Sequence, residues 1–332
     1  GKKGRVTWEK VGFPGKDVFA ELSDYQINVT RNNFTCDSAR LTYAGYFNYN
    51  KTIRKLSMQL GVRIENTYLK GSSDKQFELS KKYFQVFPNI SFDYKKNENN
   101  SFQLTLTRRI NRPGFFTLNP IRQYRDIYYY QEGNPGLVPE FANKAELAYS
   151  YKSIFSTSVA YIYVKQPMLG FTSQIDTAKL TIERVKNMKY WSTIEWSVFY
   201  QKTMMKKWDV SISGSLQYLQ FEGDIDGIIF KTKGFGSSAN LSNSIILGKY
   251  TKLELGGIFY GPQAYGIIHR KINWGAQAAV KFSLLKEKLD LTLGVDDLFR
   301  SQKWVTLARF ETQHWDYSRR ADTWRARIAL NY

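Results

Sequence analysis

The sequence predicts an all-β chain, a transmembrane antiparallel up-and-down β-barrel with about 14 strands present. Three observations carry this expectation. Apolar and polar residues alternate with period two over runs of about 10–15 residues, against a soluble mode of about 5–6. Aromatic residues make up 16% of the 332 residues, with 23 Tyr, 22 Phe and 8 Trp. Many stand near the ends of the runs, as in the girdles of a barrel. Short and long links alternate in order, as turns on one side of a membrane and loops on the other require, and as a Greek-key sandwich does not.

The elements follow in chain order. Residues 56–65 set Leu56, Met58, Leu60, Val62 and Ile64 against Ser57, Gln59, Gly61, Arg63 and Glu65. Residues 102–107 alternate in the same way and run into RRINRPGFFTLNP, residues 108–120. Residues 180–201 read as one long strand kinked near Asn187. In 208–218, Trp208, Val210, Ile212, Leu216 and Tyr218 oppose a serine-rich face. In 289–296, Leu289, Leu291, Leu293 and Val295 oppose Asp290, Thr292, Gly294 and Asp296. The last strand sets Trp324, Ala326, Ile328, Leu330 and Tyr332 against Arg325, Arg327 and Asn331. Short links fall near 50–54, 95–100, 152–154, 202–207, 248–251 and 285–288. Long ones fall near 14–37, 70–79, 111–141, 166–178, 222–228, 261–271 and 301–317.

Composition excludes several function classes. No run reaches the roughly 18 apolar residues of a membrane helix, and the mean hydropathy of −0.45 suits strands whose every second residue is polar. The chain does not begin with Met, and no charged segment followed by an apolar core lies near Gly1, so a targeting peptide is expected to be absent or removed. The single cysteine, Cys36, is expected in a loop and allows neither an internal disulfide nor a cysteine metal site. His269 and His314, both assigned to loops, are too few for a histidine metal centre or a nucleophile–base pair. Asp296 and Asp297 would point to opposite faces of a strand and could not chelate together. No catalytic residue, metal or cofactor is therefore expected. The net charge of +19, from 48 Lys+Arg against 29 Asp+Glu, suggests nucleic acid at first sight. No zinc finger, helix-turn-helix or RNA-recognition pattern accompanies it. The charge is spread over turns, loops and inward positions, where it can meet lipid phosphates or draw in an anionic solute.

Residues 108–120 bring three arginines, two prolines and two phenylalanines to a strand end. Proline cannot continue a paired ladder. Rings and guanidinium groups suit the headgroup level. The same residue types, with Arg109, Arg112, Arg122, Arg125 and Tyr128 to Tyr130, would also suit a ligand-binding mouth.

EGNPGLVPE (132–140) followed by KAELAYSYK (144–152) resembles the Gly-Asn-Pro-x-Leu-x-Pro-Glu element of TonB-dependent outer-membrane receptors and the Glu-Leu-x-Tyr strand after it. Val138 stands where Lys is usual. RRINRPGFFTLNP, IYYYQ and VDDLF (295–299) narrow the resemblance to the outer-membrane β-barrel family common in Bacteroidetes, over essentially the whole chain. The resemblance implies residence in the bacterial outer membrane. It implies that residues 1–332 are the C-terminal portion of a barrel of about 22 strands, with a plug and any regulatory-like domain outside them. It implies a transporter rather than an enzyme, capturing a small ligand and taking it up when the TonB complex pulls on the plug. Further implied partners are outer-membrane lipid, lipopolysaccharide and a surface lipoprotein. The alternative is a self-closed, porin-like or structural barrel without TonB coupling. The 132–140 element reads as a loop-to-strand junction, stiffened by Pro135 and Pro139 and turned at Gly133 and Gly136. The expected ligand contacts are Arg112, Tyr124, Arg125, Tyr128, Tyr129 and Tyr130 in the loop, with Arg63, Arg109 and Arg325 facing the lumen by strand parity.

Overall fold

A computed structural model describes residues 7–13, 16–31, 34–73, 77–225, 227–285, 288–310 and 313–332. The chain begins with β1 (Thr7–Phe13), β2 (Lys16–Arg31), β3 (Phe34–Ile53), β4 (Leu56–Ser73), β5 (Phe77–Asn97) and β6 (Asn100–Asn111). One helical turn, α1 (Phe115–Leu118), precedes β7 (Gln123–Asp126), β8 (Tyr129–Gln131), β9 (Glu140–Tyr151), β10 (Phe155–Lys165), β11 (Met168–Ile175) and β12 (Leu180–Asn187). Then come β13 (Tyr190–Met204), β14 (Trp208–Ile225), β15 (Ile228–Gly248), β16 (Thr251–Tyr260), β17 (Gln263–Tyr265) and β18 (Ile268–Arg270). The last are β19 (Asn273–Leu284), β20 (Leu289–Asp296), β21 (Trp304–Phe310), β22 (Gln313–Arg319) and β23 (Arg325–Asn331).

The chain divides into two compact units, one of residues 1–95, 103–145 and 162–190, the other of 96–102, 146–161 and 191–332. In the first, β1 to β5 form an antiparallel meander. A smaller sheet there runs β11-β12-β8-β7, with β12 parallel to β8. In the second, β14, β15, β16, β19, β20 and β23 pair antiparallel in that order. Its smaller sheet runs β17-β18-β21-β22.

Burial is inverted relative to a water-soluble sheet. On β3 and β4 the apolar side chains Tyr43, Phe47, Leu60 and Ile64 are exposed, while Thr42, Glu65 and Thr67 are buried. In the second unit Ile212, Leu216, Leu255, Phe259 and Leu293 are exposed in the same alternating fashion. A soluble sheet turns its apolar face to a core; this one keeps polar groups inside and presents a band that only lipid can cover. No helix among the described residues is long and apolar enough to cross a membrane.

The long links differ from expectation. β2 and β3 fill most of 14–37, and Cys36 is a strand residue. The links at 70–79 and 222–228 are the ends of hairpins whose strands reach 18 to 21 residues. Each such strand continues its ladder past the length a bilayer needs, because paired backbone groups stay satisfied in water as well as in lipid. Other long links carry short strands of their own, which join the two smaller sheets rather than the main antiparallel ladder, and His269 and His314 lie in β18 and β22 rather than in loops. Residues 180–201 are two strands in different sheets, β12 and β13, parted at Met188–Lys189. Two short links, 152–153 and 205–206, place both residues at positive φ. That is the signature of a type I′ hairpin, reached here without the usual Asn-Gly.

Candidate ligand-binding site

The site residues on the first unit are held by a loop that the chain builds after β6. Pro113 ends the ladder, and Gly114 carbonyl accepts the Thr117 and Leu118 amides to form α1. This turn directs Leu118 inward, where it meets Leu69, Leu79 and Leu137, with Met168 and Val185 against them. Gly133 then donates to the Asn119 carbonyl at 2.9 Å, and the Asn134 amide to the Thr117 carbonyl at 2.7 Å. The Asn134 side chain accepts the Gly136 amide and donates to the Val185 carbonyl. Asn187 clasps Val138: its Oδ1 accepts the Val138 N–H at 2.8 Å and its Nδ2 donates to the Val138 carbonyl at 2.9 Å. Glu140 closes the segment, accepting the Met168 amide and the Asn111 side chain.

The reason for Gly133 differs from the expected turn. Its φ is not in the left-handed region, but a Cβ there would lie 2.4 Å from the Asn119 carbonyl and 2.8 Å from that of Phe116. Backbone atoms cannot give way as a side chain can. Gly133→Ala is expected to cost about 1–3 kcal/mol. Gly136→Ala, whose Cβ would meet only the Asn134 side chain at 3.0 Å, is expected to cost less. Denaturant midpoints of both variants in detergent give the comparison, and equal losses would refute the close-approach account.

Charge on this loop is largely paired. Glu65, buried on β4, receives ion pairs from both Arg63 and Arg112. Arg63 also stacks on Tyr46, 4.7 Å from its centroid. Glu132 holds Arg184 at 2.6 Å and Arg122 at 3.4 Å, and Arg122 lies 4.8 Å from the Tyr130 ring. Its hydrogen bond with Tyr124, and then the Tyr130 hydroxyl, raise the Arg122 pKa further. Glu183 accepts the Tyr129 hydroxyl at 2.5 Å and lies 3.9 Å from Arg125. That hydrogen bond, followed by burial, raises the Tyr129 pKa.

The expected contact residues therefore separate. Tyr124, Arg125 and Tyr128 project from the first unit as exposed groups. Tyr130 is buried beneath Tyr124, and Tyr129 is half-buried against Glu183. Arg63 and Arg112 converge on Glu65. Arg109 shares the parity of Thr105 and Thr107 and is exposed. Arg325 belongs to the second unit, where it and Arg327 face Asp296 at 3.4 and 3.8 Å. Sequence reasoning gave no contact role to Glu65, Glu132, Glu183, Arg184 or Asn187, although Glu65 stood on the polar face of an alternating strand, Glu132 opened the 132–140 element and Asn187 marked the expected kink.

Asp297, just beyond β20, is buried and adopts φ 45°. It accepts the Ser301 amide at 3.0 Å and the Thr323 hydroxyl at 2.5 Å, so it staples a turn rather than pairing with Asp296. No group of three metal-ligating side chains occurs among the described residues. Burial alone would raise the Asp297 pKa, but the hydrogen bonds from Thr323, Ser301 and Gln302 outweigh it and hold the carboxyl below its usual 3.8. A depressed pKa stabilises the fold above the unfolded value and loses that contribution as pH falls through the folded one. Asp297→Asn is expected to lower stability at neutral pH by about 1.5–3 kcal/mol and to flatten the loss expected of the parent as pH falls below the usual 3.8. Melting curves in detergent from pH ~7 to ~3 check this; parallel curves for the two proteins would refute it.

Comparison with known proteins follows the same lines. The model of the outer membrane protein beta-barrel family matches residues 17–332. No curated protein sequence matches the chain. Among solved structures, the ferric-catecholate import receptor Fiu of K12 E. coli is similar at a TM-score of 0.64 and 12% identity, over 97% of this chain and 53% of that one. The siderophore receptor PiuA of Acinetobacter baumannii gives 0.62 at 11% identity, over 95% and 55%. The siderophore receptor PirA of Pseudomonas aeruginosa gives 0.53 at 11% identity, over 97% and 62%. The chain thus spans little more than half the length of these relatives.

Proposed function

The chain belongs to the outer membrane protein beta-barrel family and resides in the bacterial outer membrane, and on that premise we propose that it forms the C-terminal part of a TonB-dependent, receptor-like transporter. The observation that carries this reading is the match of nearly the whole chain, at a TM-score of 0.64, to a receptor that imports a ligand. The chain works by capture and uptake, not by chemistry on its ligand. Tyr124, Arg125 and Tyr128, exposed on a loop tied down at both ends, and Arg109, exposed near the end of β6, are the groups first met by a ligand. Within the first unit Arg63 and Arg112, through Glu65, and Tyr129, through Glu183, hold the loop in place, with Tyr130 packed under Tyr124; in the second unit Arg325, paired with Asp296, is a further contact. A plug segment outside residues 1–332 couples the barrel to the TonB complex, lipopolysaccharide surrounds the exposed apolar band, and a surface lipoprotein covers the mouth.

The test is uptake by the native host. Accumulation of the ligand should require both this gene and an energised TonB complex. The same protein in a planar bilayer should show no steady conductance. A constant open channel, with uptake unaffected by loss of TonB, would establish the porin-like alternative instead.

A further inference from the structure

The second unit contains a cavity of about 540 Å³ on the polar face of its sheet, within the range of small-molecule sites. In a chain of net charge +19, its lining is unexpected: seven serines and a threonine among small and apolar residues, two carboxylates, Glu146 and Glu195, and no Lys or Arg. Ser215, Ser238 and Tyr260 also line a neighbouring cavity of about 270 Å³ that carries Arg270 and Lys271. An anion would meet carboxylates in one cavity, and a cation would meet Arg270 and Lys271 in the other. Both carboxylates are already engaged, Glu195 by the Ser197 hydroxyl at 3.1 Å. What the wall offers without a charge penalty is a field of hydroxyls and amides, each able to donate and accept. Ser215 and Ser238 lie 2.9 Å apart across β14 and β15, and Gln217 and Gln263 stand beside them. Two half-open rings complete the site: Tyr260 and Trp304, 41% and 42% exposed, with centroids 5.4 Å apart. Exposed rings with one polar tip suit a ligand that is apolar on its faces and polar at its rim.

We infer that the cavities flanking Ser215, Ser238 and Tyr260 bind an uncharged polyhydroxylated ring, a neutral oligosaccharide, stacked on Tyr260 and Trp304. The inference rests on the transporter reading for its direction of travel and names the class of solute carried. Hydroxyls replace water on the serine wall one for one, while ring C–H faces cover the aromatic pair.

The experiment is calorimetric titration of the protein extracted from its native outer membrane in detergent. The probes are maltohexaose, cellohexaose, mannohexaose and laminarihexaose, against spermidine and a ferric tris-catecholate. At least one saccharide is expected to saturate. Trp304→Ala and Ser215→Val are each expected to weaken it about tenfold, with folding of the variants confirmed by heat-modifiable gel mobility. No saturation by any of the saccharides below about 10 mM overturns the inference. So does saccharide binding that both variants leave unchanged, or a loss in Trp304→Ala of spermidine or tris-catecholate binding instead. Uptake in cells lacking TonB separates the two readings. Saccharide binding with TonB-independent uptake removes the transporter mechanism and keeps the site; energised uptake of the tris-catecholate alone does the reverse.

Discussion

Replacing Glu65 by Gln is expected to cost on the order of 3–5 kcal/mol, a large loss for any single side chain. The carboxylate is 3% exposed and answers two guanidinium groups. Once it is neutral, Arg112, whose side chain is only 17% exposed, keeps its burial and loses its counter-charge. The energetic asymmetry is general: removing one member of a buried pair leaves a charge that water can no longer reach. The segment that carries Arg112 should then lift from β4, and trypsin should gain access at Arg108 and Arg109, the bond between Arg112 and Pro113 being closed to trypsin. Denaturant midpoints and timed digestion of the protein in detergent measure both effects. Glu78→Gln, at an exposed position of β5, is the control and should change stability by less than about 0.5 kcal/mol. The double variant Glu65→Gln, Arg112→Gln should recover much of the loss, because it removes the orphaned charge as well. Equal responses of Glu65→Gln and Glu78→Gln would refute the ion-pair account.

Leu137→Ala is expected to cost about 2–5 kcal/mol. Leu137 is fully buried and fills the centre of the cluster of Leu69, Leu79 and Leu118. Its neighbours sit on β4, β5 and α1, elements fixed by their own ladders and turns, so the space would collapse only in part. Leu137→Met conserves volume and should cost less than about 1.5 kcal/mol. Hydrogen exchange distinguishes local from global loosening. Faster exchange of the Gly133, Asn134, Gly136 and Val138 amides, with the β3–β4 ladder unchanged, is the expected pattern. Uniform acceleration through both units would show that the cluster supports the whole fold rather than this loop.

The candidate site was legible in the sequence by residue type and only partly by arrangement. The run of Arg and Tyr from Arg108 to Tyr130 marked the segment. Strand parity placed Arg63 on the polar face, where the structure has it beside Glu65. The sequence did not reveal that Arg63 and Arg112 share that carboxylate, 47 residues from Arg112. Nor did it reveal that Tyr129 is tied to Glu183, 54 residues away. A positive residue in a loop looks the same whether it awaits a ligand or already holds a partner from another strand. The second unit's cavity was less legible still, because its serines come from several strands and no local pattern groups them.

Period-two alternation and aromatic placement determined by themselves that this is an all-β chain and which face of each strand is apolar, while the Gly-Asn-Pro-Gly-Leu-Val-Pro-Glu element pointed to the outer membrane through its resemblance to a known family. These are properties of neighbouring residues, since the pleat turns successive side chains to opposite faces. Tertiary structure alone decided where the strands stop, that the long links are themselves strands, and that 180–201 breaks between two sheets. It also decided that Asn187 holds Val138 across 49 positions of sequence. Those outcomes depend on which distant backbone and side-chain groups come to satisfy one another, and no local periodicity encodes that.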